Sequence, residues 1–181
     1  MIMNKKMNRI LTCFFLLAAC LSENIYAQNP DRKQPINIEA DTVTVDDRNK
    51  VHIFEGSAVL TQGSLVIKGD RLVVTQGADG FQTGVATAVK PKLATFRQKK
   101  TGTTNEYIDG EAERIEYDGR TEKAKLFERA KVVSGKDVVR GPYIEYDSMT
   151  ENYRVEGSST VSKQPGRVHV LISPKEEDGA N

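Results

Sequence analysis

Two histidines and three glutamates are the side chains in this sequence best able to do chemistry. His52 and His169 stand far apart, and neither has a second histidine or a cysteine at metal-ligand spacing, so the sequence predicts no metal site. Glu111, Glu113 and Glu116 could act as paired carboxylates, but their alternation is more typical of an exposed strand edge that charge keeps soluble. No serine has a nucleophile-elbow context, and no glycine series has phosphate-loop spacing. We therefore expect no catalytic residue, no cofactor and no enzymatic activity.

A basic cluster lies in the middle of the chain. It comprises Lys90, Lys92, Arg97, Lys99 and Lys100. Cations at this density can bind phosphates or an acidic partner, and they can equally form the solvated surface of an ordinary hairpin. We prefer the hairpin interpretation.

The first 27 residues have the composition of a secretory signal. Three basic residues within the first nine precede an apolar run over residues 10–21, a polar break and a small residue at Ala27. The run is too short to span a bilayer. We place cleavage of this signal peptide (1–27) after Ala27, which predicts export from the cytoplasm. The alternative is a lipid anchor on Cys20, because Leu17–Cys20 resembles a lipoprotein processing box.

The chain that remains after cleavage is nearly neutral and free of cysteine. Cys13 and Cys20 both lie in the leader, so we expect no disulfide despite an oxidising destination. The leader also holds three of the 26 basic and one of the 25 acidic residues, which leaves a formal net charge of −1. No overall field then attracts nucleic acid. We predict one domain at 28–174 and a disordered polar tail at 175–181.

Alternating apolar and polar residues predict short, half-buried strands throughout this domain. Glycine-containing turn sequences such as Gln62-Gly63 and Ser134-Gly135 separate the strands, and we interpret Lys68–Asp70 as a further turn. The predicted strand segments are 35–39, 42–45, 65–67, 71–74, 85–89, 93–96, 114–117, 143–146 and 167–172.

One sequence phrase occurs twice, at 54–69 and again at 127–141. Most matched positions are 72 residues apart, as from Ala40 to Ala112. The phenylalanines that open the two copies miss this frame by one residue, which predicts a β-bulge. Each copy reads as a strand, a tight glycine turn and a returning strand, so the repeat predicts a wound antiparallel sheet.

The repeat also decides between helix and strand at Glu111–Tyr117. The composition of this segment favours helix, but the repeat aligns it with a predicted strand, so we predict a strand. A domain built only of short strands must hide its apolar face in a sandwich, roll or barrel. The apolar fraction is 38% and tryptophan is absent, which indicates a thin layer between sheets.

Three motifs resemble the OstA-like family of lipopolysaccharide-export proteins. They are Gln34–Asp41 (QPINIEAD), Phe54–Val59 (FEGSAV) followed by Thr61–Gly63, and Leu93–Phe96 (LATF), within a resemblance that covers residues 34–173. The resemblance implies an all-β, antiparallel β-jellyroll open at its ends and located in the periplasm. It also implies a groove that holds the lipid A part of lipopolysaccharide by its acyl chains.

The resemblance further implies end-to-end stacking into a bridge between the inner and outer membranes. The expected partners are lipopolysaccharide, further copies of the chain head to tail, and inner-membrane-anchored and outer-membrane OstA-like relatives, with no nucleic acid. For the interface we nominate two terminal strands, comprising Ile36, Asn37, Ile38, Glu39, Val168, His169, Val170, Leu171 and Ile172. The alternative function is an adaptor module that acts only by adding strands to other proteins.

The candidate groove residues are the apolar positions that the matched blocks place on one face. Ordinary core packing is the alternative role for each of them, and the sequence does not separate the two. The candidates are Ile36, Ile38, Val43, Val45, Phe54, Leu72, Val74, Phe96, Ile115, Tyr117, Ile144 and Tyr146.

Overall fold

The computed structural model describes residues 30–78, 80–157 and 166–174. Within them the chain forms one short 3₁₀ helix and strands that pair only antiparallel, so the predicted all-β jellyroll is confirmed. The predicted leader, with Cys13, Cys20 and the cleavage point after Ala27, and the predicted tail at 175–181 lie outside the described residues. The elements are the 3₁₀ helix Pro30–Lys33, β1 Ile36–Glu39, β2 Thr42–Asp46, β3 Val51–Gln62, β4 Leu65–Gly77, β5 Gly80–Thr87, β6 Ala94–Lys99, β7 Tyr107–Ala112, β8 Arg114–Asp118, β9 Lys123–Ser134, β10 Asp137–Asp147, β11 Asn152–Glu156 and β12 His169–Leu171.

Four long strands, β3, β4, β9 and β10, run through both walls of the roll. The pairing register breaks in the middle of each hairpin, and the halves on either side of the break have different neighbours. The sheet therefore folds over into two walls. Wall I contains, in order, β2, β3 (51–55), β4 (71–77), β5, β8, β9 (123–127), β10 (143–147) and β11, and wall II contains, in order, β1, β3 (58–62), β4 (65–69), β6, β7, β9 (130–134), β10 (137–141) and β12.

Among the described residues, the strands pass from one wall to the other along one side of the roll. The hairpin turns of both walls consequently lie together on the opposite side, which we call the open side. Polar contacts cross it. The Arg32 guanidinium donates to the Arg120 carbonyl oxygen at 3.5 Å, and the Lys100 ammonium lies 3.4 Å from the Glu151 carboxylate.

The sequence repeat is a structural repeat, with β1–β6 as one unit and β7–β12 as the other. β9 begins and ends 72 residues after β3, and β8 stands in the same relation to β2. The register follows, since Ile36 faces Gln62 in the first unit and Ile108 faces Ser134 in the second. Two strand pairs, β5 with β8 and β6 with β7, join the units.

A β-bulge in each unit turns the long strands from one wall to the other. Gly56 and Ser57 adopt left-handed backbone conformations with φ of 83° and 47°, and the equivalent Glu128 and Arg129 have φ of 58° and 54°. The same hydrogen bond closes both corners, because the Asp41 N–H donates to Gly56 O at 3.1 Å and its counterpart Glu113 N–H donates to Glu128 O at 3.0 Å. A β-bulge thus lies just after the phenylalanine in each unit, as predicted. It does not account for the displacement of the phenylalanines, because both units carry it and β9 keeps the 72-residue offset from β3.

The predicted turn at Lys68–Asp70 is wrong, because these residues lie inside β4. They face the bulge of β3, where β4 passes between the walls without reversing direction. Gly69 permits the close approach of neighbouring backbone, since a Cβ there would lie 2.6 Å from the Thr87 carbonyl oxygen. The strand predicted for Glu111–Tyr117 is confirmed as the end of β7 and most of β8.

Candidate lipid-binding interior and stacking ends

The inner face of wall I carries two uninterrupted cross-strand rows. Residues directly opposite one another in antiparallel pairs share a face, so the pairing register defines each row. The first row reads Val43, Phe54, Leu72, Ala86, Ile115, Leu126, Ile144 and Val155, and the second reads Val45, His52, Val74, Gly84, Tyr117, Ala124, Tyr146 and Tyr153.

Wall II contributes a matching row from its own inner face. It reads Ile38, Leu60, Ile67, Phe96, Gly110, Val132, Val139 and Val170. All twelve predicted groove residues face the interior between the walls. Eleven of them, all but Ile36, lie in these three rows, which carry most of the buried core. Leu60, Ile67 and Leu126 lie in the same rows and were not predicted.

Burial changes systematically along these rows. Residues in the middle strands are buried, whereas the same inner face is open to solvent at both ends of the roll. Val43 and Val45 on β2 are 53% and 52% exposed, and Val170 on β12 is 56% exposed. Covering the exposed ends of these apolar rows would remove more apolar surface from water. Exposed apolar surface of this kind is typical of a contact or binding site.

The predicted groove residues therefore fall into three groups. The first is packed together in the core, the second is half-buried against it, and the third is exposed at one end. These groups are Leu72, Val74, Phe96, Ile115, Tyr117, Ile144 and Tyr146; Ile36, Ile38 and Phe54; and Val43 and Val45.

Aromatic rings bridge the walls in the middle of the roll. The ring of Phe96 on wall II lies 6.1 Å from that of Tyr117 and 6.2 Å from that of Tyr146, both on wall I. Phe81 stacks on Tyr117 at 6.1 Å, and Tyr153 stacks on Tyr146 at 5.1 Å. Phe81 and Tyr153 were not predicted, because the alternation pattern around them does not indicate that they share a face with the other rings.

A polar patch lines the interior next to the open side. Burial, and then the nearby Glu122 carboxylate, raise the pKa of the Tyr117 hydroxyl, which stays protonated at physiological pH. Gln98, 2% exposed, hydrogen-bonds that hydroxyl and donates to the Asp31 carboxylate at 3.5 Å. Asp31 also accepts from the Ser64 N–H at 2.8 Å, which fixes the 3₁₀ helix to the β3–β4 turn. Sequence patterns did not indicate this patch.

The two strands nominated for the interface are the end strands of wall II. β1 pairs only with β3 and β12 only with β10 among the described residues, so each has one edge without a strand partner. Leu171 lies within β12, Val168 and Ile172 flank it, and all three are exposed. Wall I ends in the same way, in β2 and β11, and these two strands were not nominated for the interface.

Most of the basic cluster is neutralised within the chain. Lys90 pairs with Glu113 at 3.0 Å, Lys92 with Asp70 at 3.3 Å, and Arg97 with Asp109 at 3.0 Å. Lys100 pairs with both Glu106 and Glu151, and these carboxylates raise its pKa. This pairing agrees with the interpretation of the cluster as an ordinary surface.

The three glutamates considered for acid–base chemistry are ion-pair partners instead. Glu111 pairs with Lys131 at 3.1 Å, Glu113 with Lys90 and Arg129, and Glu116 with Arg114. His52 faces the interior between Val45 and Val74, whereas His169 lies opposite Arg140. Across the described residues, no group of three histidine, cysteine, aspartate or glutamate side chains is placed to hold a metal ion. None of the helices described here is long and apolar enough to cross a membrane.

The two paired walls and the apolar rows between them define the chain as an antiparallel β-jellyroll with an apolar interior. Residues 37–152 match the family described as LptA/(LptD N-terminal domain) LPS transport protein, and the chain belongs to this family. The predicted OstA-like membership is thus confirmed.

Curated relatives and a solved structure agree with this assignment. The chain is 28% identical to the lipopolysaccharide export system protein LptH of Pseudomonas aeruginosa over 94% of its own length and 97% of that protein. It is 30% identical to the lipopolysaccharide export system protein LptA of Haemophilus influenzae over 93% of both chains. The crystal structure of LptH, described as the LptA-homologous periplasmic component of the lipopolysaccharide transport device of Pseudomonas aeruginosa, superimposes with a TM-score of 0.72 at 27% identity, covering 81% of this chain and all of that one.

Proposed function

We propose that this protein is a non-catalytic periplasmic carrier that holds the lipid A part of lipopolysaccharide between its two walls and stacks end to end. The observation that carries the proposal is the exposure of the inner apolar rows at both ends of the roll, at Val43 and Val170. The family and the names of the relatives support a role in lipopolysaccharide export. They name transport proteins, which supports the absence of catalysis.

An acyl chain in the periplasm needs a dry path. Each buried methylene is worth about 0.8 kcal/mol, so leaving one chain of about a dozen methylenes in water costs on the order of 10 kcal/mol. The central aromatic residues fill the middle of the interior. Lipid entry there therefore requires the walls to separate at the open side, whereas Phe54, Val43 and Val45 are accessible at the end without such movement.

The junction between the two internal units provides a template for stacking. Within the chain, β5 pairs with β8 and β6 with β7. The equivalent strands in a stack are β11 of one copy with β2 of the next, and β12 of one copy with β1 of the next. Ala86 facing Ile115 becomes Val155 facing Val43 of the next copy, and Phe96 facing Gly110 becomes Val170 facing Ile38.

Such a stack continues each inner row from one copy into the next. It also covers the exposed end valines and pairs the free strand edges by main-chain hydrogen bonds. A head-to-tail contact of this kind does not close on itself, so it builds filaments. The same two ends would accept the jellyroll domains of inner-membrane-anchored and outer-membrane relatives.

A disulfide across the proposed junction tests the stacking. In a chain carrying Val155→Cys and Val43→Cys, mild oxidation is expected to give a ladder of covalent oligomers that reduction dissolves, because opposite residues bring their Cβ atoms close. A chain with Val155→Cys and Thr44→Cys is the control, since Thr44 faces outward. Equal ladders from both chains, or none from the first, would contradict the junction.

A second candidate function is the adaptor module that binds proteins only by strand addition. The filled middle of the interior favours it, because Phe96, Tyr117 and Tyr146 leave the walls in contact. Lipopolysaccharide pulldown with the purified mature chain separates the two functions. Retention of lipopolysaccharide supports the carrier, whereas disulfide-linked stacks without any retained lipid support the adaptor.

A further inference from the structure

A small cavity of about 240 Å³ spans the open side of the roll near the β1 end. On one side it is lined by the segment that carries Arg32 and by Ile36 of wall II, and on the other by Phe81 and Arg120 of wall I. Pockets that enclose a drug-sized ligand measure roughly 300–1,000 Å³. The cavity is therefore of a size for one charged group and the start of an attached chain.

The charge of this cavity is one-sided. Arg32 and Arg120 are exposed and contribute two guanidinium groups, and among the described residues no carboxylate side chain lines the cavity. Neither arginine forms an ion pair with a carboxylate in residues 30–78, 80–157 and 166–174, in contrast to the paired cations of the basic cluster. Guanidinium groups bind phosphate oxygens through forked, charge-assisted hydrogen bonds.

The backbone at both arginines is held in place. Gln62, 8% exposed, donates from its side-chain amide to the carbonyl oxygens of Arg32 at 3.2 Å and Gln34 at 3.1 Å. On the other side the Asp118 carboxylate accepts from the Arg120 N–H at 2.8 Å. The Arg32 guanidinium then reaches across to the Arg120 carbonyl oxygen at 3.5 Å.

The floor of the cavity is apolar and continues into the interior. Ile36 and Phe81 both line it, and both pack against the buried core. Phe81 stacks on Tyr117, whose ring also faces Phe96. A ligand with an anionic head at the arginines would thus have its apolar part directed toward the inner rows.

We infer that this cavity is a subsite for the phosphate group of an acylated glycolipid, with Arg32 and Arg120 as a pair of clamping cations. Because the strands cross between the walls on the opposite side, a polar headgroup whose acyl chains lie inside leaves the roll through the open side. This inference rests on the proposed function and specifies where the charged part of the cargo is held.

Binding of two lipids by matched variants tests the inference. The mature chain, an Arg32→Gln/Arg120→Gln variant and a Lys33→Gln/Arg48→Gln control are compared for binding of phosphorylated lipid A and enzymatically dephosphorylated lipid A. The control removes two exposed cations outside the cavity. Loss of charge-assisted hydrogen bonds at an accessible site predicts about tenfold weaker binding of phosphorylated lipid A by the arginine variant only. Its binding of dephosphorylated lipid A and its thermal melting temperature should not change.

Each outcome decides a separate point. Unchanged binding of phosphorylated lipid A by the arginine variant, or equal weakening with both lipids, would overturn the subsite and leave the carrier function standing. Failure of the unsubstituted chain to bind either lipid would overturn the carrier function itself. Inorganic phosphate at millimolar concentration is expected not to displace the lipid, and displacement in that arm would show a free-phosphate site in place of the headgroup subsite.

Discussion

The rings of Phe96 and Tyr117 meet across the two walls with their centroids 6.1 Å apart, although the residues lie on strands of different walls. Phe96 is 2% and Tyr117 4% exposed. This contact joins the walls in the middle of the roll, while the same inner face is exposed at its ends. The interior is therefore a closed core at its centre and an open apolar surface at each end.

Truncation at this contact should destabilise the fold. Phe96→Ala is expected to cost about 3–5 kcal/mol of unfolding free energy, because it leaves a cavity between the walls. Thr95→Ala, at an exposed position of the same strand, should change it by no more than about 0.5 kcal/mol. Urea unfolding of the monomer measures both. A loss below about 1 kcal/mol at Phe96 would show that the walls are already apart in solution.

A charge on the exposed inner face should prevent stacking without unfolding the chain. Val43→Asp is expected to shift the protein to monomer in sedimentation velocity, because the carboxylate would be buried against Val155 of the next copy. Thr44→Asp, on the outward face of the same strand, serves as the control. Both variants should melt within a few degrees of the unsubstituted chain. Equal dissociation by the two substitutions would argue against an inner-face junction.

Replacement by alanine should affect stability differently at Gly56 and at Gly135. Gly56 has φ of 83°, and a Cβ there would lie 2.7 Å from the Asp41 Cβ, so Gly56→Ala combines backbone strain with a clash at the corner. Gly135 has φ of 59° and open space around it. We expect a loss of about 1–3 kcal/mol at Gly56 and of about 1 kcal/mol at Gly135. Thermal unfolding should rank them in this order, and the reverse order would contradict the corner geometry.

Glu113, which lies between β7 and β8, should make a contribution to stability that depends on pH. Hydrogen bonding from Lys90, opposed by partial burial and aided by Arg129, lowers the pKa of Glu113 from its ordinary value of 4.5. A lowered pKa means that this stability is present above the ordinary value and is lost as the pH falls through the folded value. Glu113→Gln should thus cost up to about 1 kcal/mol at pH 7, the range for accessible ion pairs, and almost nothing near pH 3.

Urea unfolding at the two pH values tests this expectation, with the exposed turn variant Asp47→Asn as the control. A difference between Glu113→Gln and the unsubstituted chain that stays constant on acidification would mean that the carboxylate charge has no part in it.

The sequence predicted the inner face better than the connections between walls. Alternation and the repeat were sufficient to place Leu72, Ile115 and Ile144 on one face, because a two-residue period fixes the side on which a side chain lies. They did not show that β4 continues through Lys68–Asp70, because Gly-Asp sequences are typical of turns. A strand that crosses from one wall to the other carries the same local sequence. The phenylalanines drew attention to the position of the bulge, but their displacement by one residue has another origin, since both units carry the bulge at the same 72-residue offset.

The contacts between distant strands could not be predicted in the same way. The bond of Gln98 with Tyr117 depends on how the two walls face one another, and the stacking of Phe81 on Tyr117 depends on the pairing of β5 with β8. No local pattern encodes either arrangement. The strand at 42–45 was predicted, but neither β2 nor β11 was nominated for the interface. The stacking role proposed for them follows from their equivalence with β8 and β5, which becomes visible only once the pairing is known.

Photo-crosslinking in cells determines whether the interior between the walls holds lipopolysaccharide. A photoreactive residue is placed at Phe54 or Val45, which face the interior, and at their outward-facing neighbours Ile53 and Thr44 on the same strands. Lipopolysaccharide held between the walls should give adducts from the two inward positions and none from the two outward ones. Absence of adducts at both inward positions in a protein that folds and stacks, or equal adducts from both faces, would contradict this binding mode.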